Sequence, residues 1–511
     1  MIIIHTSYST DRLKSDNRAV HEQLCYVLEN MTFEFINNAA IDRSVRKQIR
    51  SHVAKGRNIG KTLPSRRRQP KVKTTVSIWN PRTAKDAPEP RSGEGAIPTI
   101  ERQIGDGLSV LSLPVELTSA TSRNLAKTLF TFLNGSLHSP ELSNAIDFAG
   151  AAGIWVEYIF LDEAYFHCTV AMCVIAVNAL RIEKADSVEA MHHMSDTFRL
   201  VNQKLSGKEA LSDTTMAVIV ALSHYERVRG RHCQGMVHFE GLHRIVELRG
   251  GILRLVNYKA ALAQKIFRAD LEFALFSGSA TRFSVKDVPG SATISWLRSR
   301  FKQDQKGQVY DSKFFNLLSP DLKEVLIDIM GLAWQLNGHG TKLDGYTYHD
   351  ILILIGYRLL YIGSLGDPRP SNRLENALHL GLLAFFTTLL LGFGREFPEF
   401  PLLSKLTRSA AQGHLEEYYQ NQDFFLWALF MGRISTLGQP DDRWLILRIT
   451  ETCLGLGLHT WENTCRTLSK FPWINSLHDK AGEALWNRLR ESDNFPAGIQ
   501  DDILIPRTDF R

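Results

Sequence analysis

From about residue 108 to residue 490, apolar residues recur three and four positions apart, proline thins out, and no Asn-Gly turn joins two alternating runs. A pattern sustained over that length makes helices the building material and gives a sheet nothing to start from. The spacing predicts helices over 119–134, 141–151, 162–182, 185–205, 213–229, 236–249, 259–277, 319–336, 348–362, 373–393, 414–435, 442–456, 461–469 and 478–490. The expected fold class is therefore all-α: one large helical body over 108–490, with room for two subdomains, and a tail over 491–511. No internal repeat points to a stacked array.

Two helix ends carry readable mechanics. Asp213 stands before TTMAVIVALSHYERVR and is expected to cap the free N–H groups of that first turn. In 236–249, Leu242, Ile245, Val246 and Leu248 lie mostly on one side, while Glu240 and Arg244, four apart, suit an exposed ion pair. Gly250 and Gly251 follow, where a left-handed C-cap favours glycine. Arg249 and Asp270 each interrupt a mostly apolar helix, in VELRGG and KIFRADLEFALF. If these helices form a hairpin across the two glycines, the charges pair inside it and fix helix register; otherwise they are two separate exposed charges. The segment ALHLGLLAFFTTLLLGFG, 377–394, has eighteen residues without a formal charge. It reaches the lower limit for a membrane span, yet His379, two threonines, three glycines and polar flanks favour a helix buried in the core, so no membrane partner is expected.

The first 107 residues read differently. Residues 56–107 hold Pro64, Pro70, Pro81, Pro88, Pro90 and Pro98 among Gly, Ser, Arg and Lys, a composition expected to stay disordered. FEFI, 33–36, alternates as a short strand would, and 43–55 suits a basic helix. Residues 43–73 contain Arg43, Arg46, Lys47, Arg50, Lys55, Arg57, Lys61, Arg66, Arg67, Arg68, Lys71 and Lys73 and no acid, so this stretch carries +12 where the whole chain carries +6. A basic arm on a mildly acidic body suits non-specific contact with DNA phosphates and, through KTLPSRRRQPKVK, an import receptor; the bland alternative is a solvated linker. No aromatic residue interleaves the basic run, Trp79 following it, which argues against a single-strand stacking platform.

Signals for chemistry are weak. The cysteines stand at 25, 168, 173, 233, 453 and 465 with no CxxC, which excludes a disulfide scaffold, a zinc ribbon and a redox dithiol; Cys168 and Cys173 read as core residues. The start, MIIIHTSYSTDRLK, lacks a secretory apolar region, and a reducing compartment is expected. GRNIGKT, 56–62, places three residues between its glycines where a phosphate loop needs four, and neither strand nor helix is expected around it. His224, His232, Cys233, His238 and His243 cluster in sequence, but His238 and His243 diverge on a helix, and His192 and His193 face two directions. No HExxH, GxSxG or strand-borne GxGxxG occurs. No enzyme, metal or cofactor is expected.

Several longer stretches resemble the regulatory region of fungal-specific transcription factors. These are HFEGLHRIVELRGGI (238–252) with KIFRADLEFALFSG (265–278), and AGIWVEYIFLDEAYFHCTVAMCVIAV (152–177) upstream. FRLVNQKL (198–205), LSDTTMAVIVALSHYE (211–226) and the closing LGLHTWENTCRTLSKFPWINSLHDKAGEALW (456–486) fit the same order. FEFINN and RKQIRSHVAKGRNIGK resemble the opening of a subgroup that lacks the N-terminal binuclear zinc cluster. That cluster needs six cysteines, and only Cys25 lies in the first 167 residues, so no zinc ligand carries over. The resemblance implies a nucleus-located transcriptional regulator whose helical region dimerises with itself or another transcription factor, or answers an effector. Two alternatives stand beside it: a co-regulator that pairs with a zinc-cluster protein without touching DNA, and a helical metabolic enzyme.

Overall fold

A computed structural model describes residues 114–115, 140–148, 153–180, 188–304, 313–390, 400–413, 421–437 and 443–490. The chain divides into two units, 1–111 and 112–511, and every described residue belongs to the second. The basic arm, the strand at 33–36, the helices at 43–55 and 119–134 and the tail 491–511 lie outside the described residues.

The described residues are mostly helical. In chain order the helices are α1 (Gly153–Leu161), α2 (Glu163–Leu180), α3 (Val188–Ser206), α4 (Asp213–Val228), α5 (His232–Leu248), α6 (Ile252–Tyr258), α7 (Ala260–Ser277), α8 (Ser291–Asp304) and α9 (Lys313–Asn316). They continue as α10 (Pro320–Leu336), α11 (Gly345–Ile362), α12 (Arg373–Thr387), α13 (Pro401–Gln412), α14 (Gln422–Ser435), α15 (Arg443–Gly455), α16 (Trp461–Leu468) and α17 (Asn475–Arg490). Two two-residue strands, β1 (Ile146–Asp147) and β2 (Leu343–Asp344), pair in parallel with Ile146 opposite Leu343.

Helix starts follow capping chemistry. The Asn372 side chain accepts from the N–H groups of Leu374 and Glu375 at 3.0 and 3.3 Å to open α12. Asp344 does the same for Thr347 at 3.0 Å to open α11, and Pro320 opens α10 where no donor is needed. At α4 the cap is one residue earlier than the sequence suggests. Ser212 Oγ accepts from the N–H of Thr215 at 3.1 Å, and Asp213 becomes the first helical residue.

The core forms around helices that are buried on more than one face. In α12 every residue from Ala377 to Thr387 is buried, and α11 and α14 carry similar runs. α12 packs on α13 and α14, α7 on α11, and α2 on both α3 and α4. The uncharged segment 377–390 is thus core, and no helix among the described residues is long and apolar enough to cross a membrane. α12 stops at Thr387 because the hydroxyls of Thr387 and Thr388 turn back onto the carbonyls of Ala384 and Phe385 at 2.8 and 2.6 Å.

Several elements depart from the expected ones. Residues 140–147 form a 3-10 turn and β1 instead of a helix, because Ser143 Oγ donates to the Pro140 carbonyl at 2.6 Å and draws the backbone out of helical pairing. Helices α6, α8, α9 and α13 carried no sequence expectation, and α1 carried none from its spacing. α6 separates from α7 at Lys259, whose backbone leaves the helical region at φ −140°, ψ 58°.

Candidate functional site

The residues singled out around Gly250 sit at the end of α5. Gly250 and Gly251 have φ of 97° and 88°, and their N–H groups donate to the carbonyls of Glu247 and Val246 at 3.0 Å each. This is the paired-bond C-cap expected of glycine, in which a left-handed backbone returns two orphan carbonyls to partners. Leu242, Ile245 and Val246 are buried as expected, whereas Leu248 is 51% exposed. Glu240 pairs with Arg282 at 3.2 Å, not with Arg244.

Arg249 and Asp270 do not pair. The intervening helix α6 breaks the hairpin that such a pair requires, and each charge finds a nearer partner. Arg249 binds Asp213 and lies over the Tyr258 ring at 5.2 Å, while the Tyr258 hydroxyl donates to Asp213 at 2.8 Å. A shallow surface depression lies beside them, lined by Met216, Val246, Arg254 and Leu255. Asp270 points the other way. Its carboxylate accepts from the N–H of Arg282 at 2.9 Å, the N–H of Phe283 at 3.2 Å and the Tyr357 hydroxyl at 2.6 Å. It therefore ties the loop after α7 to α11. Burial keeps its pKa above the ordinary value although all these bonds favour the ionised form.

A dense group of ionisable side chains lies between α4, α5 and α7. Its centre is Glu272, almost fully buried. Arg268, one turn back on α7, meets one oxygen through Nε at 2.6 Å, and Arg227 of α4 meets the other at 3.0 Å. Arg227 also reaches Nδ1 of His224 at 3.4 Å. His232, at the start of α5, stacks on Phe276 of α7 with ring centres 3.7 Å apart and planes at 13°. Lys265 stands one turn before Arg268.

The electrostatics follow from these neighbours. Burial opposes ionisation of Glu272, yet Arg227 and Arg268 outweigh it and hold the carboxyl at about 2. Burial, then Arg227, drives His224 down to about 3 and His232 to about 4, so both rings are neutral near pH 7. Burial and the charge of Arg268 lower Lys265 to about 8. Three polar atoms here, Arg227 Nε, His232 Nδ1 and Glu272 Oε2, are buried without a hydrogen-bond partner, Oε2 meeting Arg227 only as an ion pair. Neither imidazole nor the Glu272 carboxyl titrates near neutrality, whereas the Lys265 amine is brought toward it.

The other histidines go separate ways. His238 packs near Phe198 at 6.1 Å and His243 near Phe283 at 5.1 Å. His193 shares a hydrogen bond with His167, Nδ1 to Nδ1 at 2.7 Å, while His192 is exposed. Among the described residues no three His, Cys, Asp or Glu side chains gather as a metal ion requires. Cys168 and Cys173 are buried, as the sequence implies, and burial pushes the Cys168 thiol well up.

The Glu272 group escaped the sequence reading, although Lys265, Arg268 and Glu272 fall on one helical stripe, at i, i+3 and i+7. Of its members the sequence marked only His224 and His232, as part of a histidine and cysteine cluster. The twelve basic residues from Arg43 to Lys73 lie outside the described residues. Comparison of the chain with protein-family models, with curated proteins and with solved structures gives no match.

Proposed function

We propose that the chain is a nuclear transcriptional regulator of the fungal type, with no catalytic activity. Its basic arm contacts DNA phosphates and an import receptor, and its helical body binds partners or an effector. The observation that carries this reading is the run of twelve Lys and Arg without an acid in residues 43–73, set ahead of an all-helical body. The ordered stretches that resemble the fungal regulatory region add to it.

Binding to duplex DNA over a salt series tests the arm. If about eight phosphates are neutralised, log K falls with log salt at a slope of about −7. The affinity should not depend on sequence, because phosphate contacts carry no base information. Replacing Arg66, Arg67 and Arg68 together with Ala should leave the melting temperature unchanged and reduce nuclear accumulation of the tagged chain. Unchanged accumulation would refute the import role.

The single cysteine in the first 167 residues favours a second reading, a co-regulator that reaches DNA through a zinc-cluster partner. Absence of DNA binding at low salt, together with recovery of binding when such a partner is added, selects that reading.

A further inference from the structure

Two imidazoles meet between α2 and α3, which pack side by side. Nδ1 of His167 and Nδ1 of His193 stand 2.7 Å apart, with ring centres 5.0 Å apart and planes tilted by 38°. Only one proton fits between two nitrogens at that separation, so one ring donates and the other accepts. Nε2 of His167 faces Oε1 of Glu163, one turn back on α2, at 3.9 Å. A proton added at this Nε2 gains the carboxylate and leaves the shared bond in place, now made by a charged donor. His167 is then the donor and His193 accepts. A second proton has only the accepting Nδ1 of His193 to take. It sets two N–H groups head to head and brings two positive charges together with ring centres 5.0 Å apart.

We propose that His167 and His193 form a two-step proton switch: the pair takes one proton with its hydrogen bond intact, and a second separates the rings and loosens α3 from α2. Both residues are half-buried, so protons reach them from solvent. The charged and titratable groups that bear on the pair are Glu163 on α2 and Glu189, His192, Asp196 and Arg199 on α3. α1 and α4 also pack here, and none of their described residues is among the charges that act on either ring. Burial lowers both rings below the ordinary imidazole value, and for His193 the charge of His167 adds to it, while Glu189 and Asp196 act the other way. The unfolded chain therefore takes these protons first, and the contact is complete above about pH 6.5 and weakens as pH falls. The switch is a property of the helical body, and loss of nuclear localisation or DNA binding would leave it intact.

The test follows the histidine Cε1 resonances of the full, isotope-labelled chain through an acid titration, with H167Q and H193Q assigning the two rings. In the wild type His167 should charge first, and His193 should stay neutral for at least about two pH units below it. That gap is the repulsion of two charges about 5 Å apart at an effective dielectric constant of about 20. In H167Q the His193 midpoint should rise by about as much. In H193Q, whose amide oxygen still accepts, the His167 midpoint should hold near its wild-type value. In H193F, which accepts nothing, it should fall by about one pH unit. Amide hydrogen exchange at equal pH reads the helix contact. As acid is added, α3 should lose protection before α12 in the wild type, and in H167Q/H193Q it should not. The proposal is overturned if both rings charge over one pH interval while the chain is folded, or if H167Q leaves the His193 midpoint unchanged. It is overturned equally if α3 opens in the double variant as it does in the wild type.

Discussion

Asp270 shows how a single buried charge can organise distant chain. Its carboxylate satisfies two backbone N–H groups of the loop at Arg282 and Phe283 and the hydroxyl of Tyr357 on α11. Asp270→Ala leaves all three donors without their acceptor, and a loss of about 3–5 kcal/mol is expected in urea unfolding, as for a broken buried charged contact. Tyr357→Phe removes one bond and should cost about 1.5–3 kcal/mol, the range for a hydrogen bond to a charged group. If Asp270→Ala unfolds at the wild-type urea midpoint, the loop does not depend on this carboxylate. The sequence marked Asp270 and Arg249 as charges in apolar helices but could not pair them correctly. Partner choice depended on α6, a seven-residue helix too short to show a clear period.

At the scale of the element, helix ends and close contacts decide what glycine does. Gly250 occupies a left-handed backbone that lets two N–H groups return to Val246 and Glu247. Gly250→Val should lower stability by about 1–2 kcal/mol, since a β-carbon clashes in that conformation. A melting temperature equal to wild type would show that the cap contributes nothing. Gly356, inside α11, sets two effects against each other. Alanine there should gain about 1 kcal/mol of helix propensity. Yet its β-carbon would stand 2.5 Å from Leu271 Cδ2 and 2.7 Å from Phe386 Cζ, and overpacking costs about 1–3 kcal/mol. Steric crowding wins because both neighbours are fully buried, so Gly356→Ala is expected to shift the urea midpoint downward. The capping glycine was legible in the sequence, as a Gly-Gly pair after a periodic run. The packing glycine was not, because the side chains that crowd it come from α7 and α12.

For the whole molecule, the buried histidines set a pH dependence. His379 receives the Arg369 guanidinium on Nδ1 at 2.7 Å and donates from Nε2 to the Leu359 carbonyl at 2.8 Å, which requires the neutral ring. His478 accepts the Ile474 N–H on Nδ1 at 3.0 Å and so donates from Nε2 to Thr388. Burial, joined by the charge of Arg369, lowers His379 to about 4, and burial alone lowers His478 to about 3. His224 behaves likewise at about 3. In each case the unfolded chain takes the proton first. The stabilisation is complete above about pH 6.5 and is lost as pH falls from there toward 4, by about 1.4 kcal/mol per pH unit for each histidine. The raised carboxyls of Asp270 and Asp328 act in the opposite sense. Chemical denaturation at pH 7.5, 6 and 5 measures the slope. His379→Gln, which keeps a neutral amide there, should reduce the slope by about one histidine's share.

Helix content and the positions of most helices follow from local information: a 3.6-residue period, a capping side chain and a terminal glycine act within a turn or two of chain. That is why α3, α4, α10, α15 and α16 lie close to their expected spans. Pairing between charges is not local. Whether Arg249 meets Asp213 or Asp270, and whether Arg227 and Arg268 converge on Glu272, depends on crossing geometry between helices far apart in sequence. Once water is excluded around a charge, the nearest counter-charge dominates its energy, and only the assembled helices determine which one that is.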